Sequence, residues 1–113
     1  MSIPNLATTA VRAGVDRDPA HGAVMPPLYL STNFSFAGFG EKRKYDYSRS
    51  GNPTRDTLAG ALADLEGGQG GVITATGMAA VTLVAALLEP GDLLVVPHDC
   101  YGGTWRLFNA QAS

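Results

Sequence analysis

The chain has 113 residues, ten acidic and eight basic, and a formal net charge of −2 at pH 7. That length suits one domain, and that charge balance offers no basic surface to a nucleic acid. The single cysteine, Cys100, excludes an intrachain disulfide and suits a reducing compartment. The opening residues, Met1-Ser2-Ile3-Pro4-Asn5, lack the basic and apolar runs of a signal peptide. No stretch reaches the length of a membrane span. The expectation is a soluble, cytoplasmic chain with neither a membrane nor a nucleic acid as partner.

Residues 1 to about 44 show no sustained periodicity. A short helix fits Ala7 to Val15, after which Pro19, Gly22, Pro26 and Pro27 break the pattern. Residues 28 to 36 alternate weakly, as either a strand or a packed arm. Glu41-Lys42-Arg43-Lys44 reads as a solvated charged loop. Tyr45 to Gly51 is a polar, aromatic loop. A helix then begins with Asn52 as N-cap and Pro53 as first residue. Asp56 in its first turn suits the macrodipole. Leu58, Leu62 and Leu65 give it one apolar face, and Gly67-Gly68 stop it.

Val72 to Thr76 is the first clear strand. A helix over Gly77 to Leu88 follows, apolar nearly all round and so buried on several sides. Glu89-Pro90-Gly91-Asp92 has Pro and Gly where a type II turn wants them. Leu93 to Val96 is a continuous apolar run, as in a strand covered on both faces. Strand, helix and strand form a right-handed βαβ unit. The residues from Trp105 onward read as a helix without a stop signal. Two strands are too few for a covered parallel sheet, so the chain is expected to be part of a longer protein.

The junction Thr76-Gly77-Met78 is a candidate anion site. A helix N-terminus carries amides with no partner and partial positive charge. The alternative is that Gly77 only allows close strand–helix packing. The loop His98 to Thr104 lies at the same sheet edge if the two strands are parallel neighbours, so Tyr101 and Gly77 could face one ligand. Gly67-Gly68-Gln69-Gly70-Gly71 precedes its strand and is a turn rather than a phosphate loop. His98-Asp99-Cys100 has metal-ligand types but no second cluster, so no metal is expected. Cys100 has no assigned base. The informative set is Tyr47, Arg49, Gly77, Met78, Tyr101 and Arg106. Amides, an arginine and a phenol can hold a phosphate, a tyrosine can stack on a flat ring, and an arginine can hold a carboxylate. Core packing, a surface ion pair or a solvated position is the ordinary alternative for each side chain.

Asp46-Tyr47-Ser48-Arg49-Ser50-Gly51-Asn52-Pro53-Thr54-Arg55 resembles the Y-S-R-x-x-N-P-T segment of the Cys/Met-metabolism enzymes that depend on pyridoxal 5′-phosphate (PLP). Leu65-Glu66-Gly67-Gly68, Thr76-Gly77-Met78-Ala79-Ala80 and Asp99-Cys100-Tyr101-Gly102-Gly103-Thr104 follow in that family's order. The resemblance implies an α/β chain of fold type I, aspartate-aminotransferase-like, of which this is the N-terminal portion. Residues 1–51 would be an N-terminal arm and inter-subunit loop. Residues 52–113 would begin the large PLP-binding domain and its first βαβ part.

The resemblance also implies roles. The amides of Gly77 and Met78 would bind the PLP phosphate. Tyr47 and Arg49 would reach the phosphate of a neighbouring subunit's cofactor in a tetramer of active dimers. Tyr101 would stack on the pyridine ring and lie near the leaving γ-substituent, a catalytic position. Arg106 would hold the acyl carboxylate of O-succinylhomoserine. The branch most resembled replaces the succinyl group by cysteine, giving cystathionine and succinate, in trans-sulfuration toward methionine. Branches that cleave cystathionine at the γ-position or sulfhydrylate an activated homoserine with a thiol are alternatives. A branch that cleaves methionine usually has cysteine where Gly103 stands. A different class of alternative is a phosphate-binding fragment without catalysis. The family's cofactor-anchoring lysine has no counterpart here, since Lys42 and Lys44 lie in a polar loop outside that motif. The 113 residues alone are expected to be inactive.

Overall fold

The computed structural model describes residues 5–111. The chain divides into two compact units, up to Ile73 and from Thr74 onward.

In the first unit, helix α1 spans Leu6–Val11 and helix α2 spans Pro53–Glu66. The side chain of Asn5 caps α1 by accepting the Ala7 amide at 2.9 Å. The helix is shorter than the Ala7–Val15 expectation. Gly14 takes φ +75°, and a Cβ there would lie 2.8 Å from Thr57 Cγ2 and 3.1 Å from Pro26 Cγ. The chain must leave the helix to make that close approach, and only glycine does so without strain. The cleft between α1 and α2 is lined by Thr8, Ala13, Gly14, Thr57 and Ala61 among others.

Helix α2 has the punctuation its sequence announces. The Asn52 side chain accepts the Thr54 amide at 2.9 Å, Pro53 opens the helix, and Gly67 ends it in the left-handed region at φ 67°. The Gly68 amide then bonds Ala63 O at 2.8 Å, closing the last turn. The leucine face is less covered than expected. Leu58 and Leu62 are 50% and 45% exposed, and the buried apolar residue of α2 is Ala63. Thr57 and Ala61 line the cleft toward α1 and Ala63 is buried, while the leucines stay half-exposed.

Residues 29–34 run extended beside the loop that contains Tyr47. Asn33 and Tyr47 form an isolated antiparallel bridge. Phe34 donates its amide to Asp46 O at 2.9 Å, and Ser48 to Thr32 O at 2.8 Å. The charged cluster before the loop is exposed, but two of its lysines are tethered. Lys42 Nζ lies 2.6 Å from Asp46 Oδ2, and Lys44 Nζ 3.7 Å from Asp56 Oδ2.

In the second unit, helix α3 spans Gly77–Ala85 and helix α4 spans Gly102–Gln111. Helix α3 ends three residues before the expected Leu88, and Leu87 and Leu88 close a turn onto Val84 and Ala85. The turn at Glu89–Asp92 forms as expected. The Asp92 amide bonds Glu89 O at 3.0 Å, and Gly91 takes φ 98°. Helix α4 starts three residues earlier than Trp105. The last expected helical residues, Ala112 and Ser113, lie outside the described residues.

The runs 72–76 and 93–96 form no strand, and no ladder pairs them among the described residues, so the expected βαβ unit lacks its paired strands. A parallel strand is stable in a sheet covered on both faces, and such cover is missing here. Val72 is 74% exposed, Leu93 87% and Val95 83%. The same holds for α3, which is apolar all round yet has no fully buried residue. No helix among the described residues is long and apolar enough to cross a membrane.

Candidate functional site

The turn into α3 is held by one side chain. Thr76, with extended backbone at φ −148°, accepts the Ala79 amide on its Oγ1 at 3.1 Å. Its carbonyl accepts the Ala80 amide at 3.2 Å. The amides of Gly77 and Met78 donate to nothing among the described residues. A Cβ at Gly77 would meet no atom within 4 Å, so the Cα side of this residue is open. Two unpaired amides at the start of a nine-residue helix fit a phosphate dianion.

The start of α4 lies against the start of α3. Gly103 is the point of contact. A Cβ there would stand 2.7 Å from Tyr101 Cε1 and 2.9 Å from Met78 Sδ. The Tyr101 ring and the Met78 thioether therefore converge over a bare backbone. Thr104 Oγ1 donates weakly to the Met78 sulfur at 3.9 Å. Tyr101 is 73% exposed, so one ring face is free for a flat ligand. Arg106 folds back along α4, with Nη1 3.6 Å from the Cβ position of Gly102, and has no ion pair among the described residues. Gly77, Met78, Tyr101 and Arg106 thus belong to one unit, with Met78 and Tyr101 in a common cluster.

Tyr47 and Arg49 form a second set, in the first unit. The Arg49 guanidinium lies 5.0 Å from the Tyr47 ring centroid, a cation–π contact. The turn carrying them is closed by the amides of Ser50 and Gly51 on Tyr47 O, at 3.0 and 3.1 Å. Arg55 donates to the Arg49 carbonyl at 3.2 Å. Arg49, Ser50, Arg55 and Asp56 line one cleft. Beside them the hydrogen bond from Lys42 holds the Asp46 carboxyl below its ordinary range, so it stays ionised and paired.

The Arg55 contact and the Ser48–Asn52 contact escaped the sequence. Spacing marks Asn52 as a cap but says nothing of what its amide group donates to. Cys100 is partly buried, and no three His, Cys, Asp or Glu side chains gather among the described residues.

The sequence profile of the Cys/Met metabolism PLP-dependent enzymes matches residues 7–113. Cystathionine gamma-synthase of Escherichia coli K12 is 58% identical over 107 residues, covering 94% of this chain and 28% of that protein. Cystathionine beta-lyase of Coxiella burnetii is 45% identical over 104 residues, covering 92% of this chain and 27% of its own. A crystal structure of cystathionine gamma synthase from Xanthomonas oryzae pv. oryzae, in complex with aminoacrylate and cysteine, superposes with a TM-score of 0.89 at 70% identity. It covers 96% of this chain and 28% of that one. The chain therefore spans little more than a quarter of the length of these relatives and carries the corresponding part of the fold-type I architecture. With the profile matched over nearly its whole length, the chain belongs to the Cys/Met-metabolism family of PLP-dependent enzymes.

Proposed function

We propose that this chain is part of a cystathionine γ-synthase. That enzyme replaces the succinyl group of O-succinylhomoserine by the thiol of cysteine, giving cystathionine and succinate. The supporting observation is the 70% identity to a cystathionine gamma synthase over 96% of the chain. The work is cytoplasmic, in trans-sulfuration toward methionine.

The residues divide the task. Gly77 and Met78 donate their amides to the cofactor phosphate, where the α3 macrodipole favours negative charge. Tyr101 stacks on the pyridine ring, held against Met78 by the gap at Gly103. Its phenol lies toward the departing γ-group. Arg106 carries the only side-chain cation of α4, and it holds the succinyl carboxylate by paired hydrogen bonds. Tyr47 and Arg49 extend to the phosphate bound by a second copy of the chain, so the working unit is a dimer and the assembly a tetramer made of two such dimers. Residues 1–51 then serve as arm and inter-subunit loop, and residues 52–113 begin the cofactor domain. PLP, when bound, supplies the electron sink for carbanion formation. Neither Lys42 nor Lys44 anchors it. The isolated 113 residues do not turn over substrate.

The test is an assay of the full-length protein with O-succinylhomoserine and cysteine against cystathionine alone. Synthesis is expected to exceed cleavage. Faster cleavage at either the β or the γ bond would assign the chain to a lyase instead.

A further inference from the structure

Asn52 does more than cap α2. It is among the few polar residues that are buried, at 9% exposure. Its side chain uses both its acceptor and its donors. Oδ1 accepts the Thr54 amide at 2.9 Å. Nδ2 donates to Tyr29 O at 3.0 Å and to Ser48 Oγ at 2.9 Å. Only the first of these contacts is needed to cap a helix. The other two reach outward, to the extended arm and to the residue next to Arg49.

The arm is gripped from both sides. The Tyr29 amide donates to Thr54 Oγ1 at 2.9 Å while its carbonyl receives Asn52. Ser48 is gripped likewise. Its amide bonds Thr32 O at 2.8 Å, its hydroxyl donates to Ser31 O, and the same hydroxyl accepts from Asn52. Ser48 and Arg49 are the central pair of the turn that Ser50 closes on Tyr47 O. Arg55, one turn into α2, fixes the Arg49 carbonyl. The backbone on both sides of the Arg49 Cα is therefore tied to the first turn of α2. A buried amide with every polar atom satisfied specifies one geometry, because losing a partner leaves the other unpaired at a cost.

We propose that Asn52 is a positioning residue for Arg49. It fixes the Ser48–Arg49 backbone so that the guanidinium, stacked over Tyr47, is presented ready to bind phosphate. This role rests on the phosphate-binding role of Arg49 proposed above. Asn52 acts on Arg49 through its neighbour Ser48, with the arm held at Tyr29 by the second donated bond. Without it the arginine remains charged but samples more orientations, and ordering it on binding weakens the cofactor's hold.

The experiment is a double-mutant cycle read by PLP affinity of the full-length apoenzyme, titrated by cofactor absorbance. The variants are Asn52→Asp, Arg49→Ala and both together. Asn52→Asp keeps the acceptor that caps α2 and removes the two donated bonds. Ser48→Ala, which deletes the hydroxyl that accepts from Asn52 and donates to Ser31 O, serves as the second variant in the same cycle. The expected result is about a 10-fold loss of PLP affinity for Asn52→Asp and less than a 2-fold further loss when Arg49 is already alanine. Ser48→Ala is expected to show the same dependence on Arg49. Equal losses in the two backgrounds for both variants would overturn the positioning role and leave Asn52 a helix cap. A silent Arg49→Ala would overturn the phosphate role of Arg49 itself, which is a distinct outcome.

Discussion

Gly103 stands where any Cβ would come within 2.7 Å of Tyr101 Cε1. The same atom would lie 2.9 Å from Met78 Sδ. The absence of a side chain is therefore what lets the first turn of α4 meet the first turn of α3 with the tyrosine ring and the sulfur both against its backbone. Gly103→Ala forces the ring or the thioether aside. Tyr101 is largely exposed, so it can swing away at small cost to folding, at the low end of the ~1–3 kcal/mol typical of overpacking. Misplacement of the stacking ring costs more in function. The expected outcome for the full-length enzyme is a fall in kcat/KM of about 10- to 100-fold with a Tm close to the parent. Unchanged kcat/KM would show that the ring position does not matter.

Arg106 has no carboxylate partner among the described residues, so its charge is available to a ligand. Arg106→Lys keeps the charge and loses the paired donors. KM for O-succinylhomoserine is expected to rise about 10-fold, as for the loss of one charge-assisted hydrogen bond, while PLP affinity stays the same. A parallel loss of PLP affinity would move Arg106 from the substrate to the cofactor.

Asp18 gives a pH signature that is independent of the site. Burial raises its pKa, but the amides of Ala23, Ala20 and His21 and the charge of His21 outweigh that, leaving it below its ordinary value of 3.8. Its Oδ1 accepts the Ala20 amide at 3.1 Å and its Oδ2 the Ala23 amide at 3.3 Å. A depressed carboxyl favours the folded state above the unfolded pKa. That contribution is complete above about pH 5 and is lost as pH falls through the folded value. A carbon-detected NMR titration should place the Asp18 midpoint below 3.8, and Asp18→Asn should flatten the acid limb of the stability curve. A midpoint above 3.8 would contradict the bonding pattern.

Much of the fold is legible because local chemistry decides it. Asn52, Pro53 and Gly67 fix the ends of α2, and Thr76 fixes the start of α3, through bonds that span no more than five residues. The strands and the leucine face are less legible. Val72, Leu93, Val95, Leu58 and Leu62 are exposed, so their pattern announces burial that the described residues do not provide. At the candidate site, Gly77 and Met78 follow from the turn. Gly103 and the Tyr29 contact of Asn52 do not, because their meaning is set by residues distant in the chain, Met78 for the one and Tyr29 for the other.

The most direct measurement concerns the amide of Gly77. Gly77 is the first residue of α3, where proline is tolerated, and Thr76 before it is already extended at φ −148° and ψ 156°. A Cβ at position 77 meets nothing within 4 Å. Gly77→Pro therefore deletes one donor while sparing the helix. If the start of α3 holds the cofactor phosphate, PLP affinity of the full-length apoenzyme should fall about 10- to 100-fold, as for a hydrogen bond to a charged group worth ~1.5–3 kcal/mol, with its Tm little changed. Undiminished PLP affinity in that variant would contradict the placement of the phosphate at Gly77 and Met78.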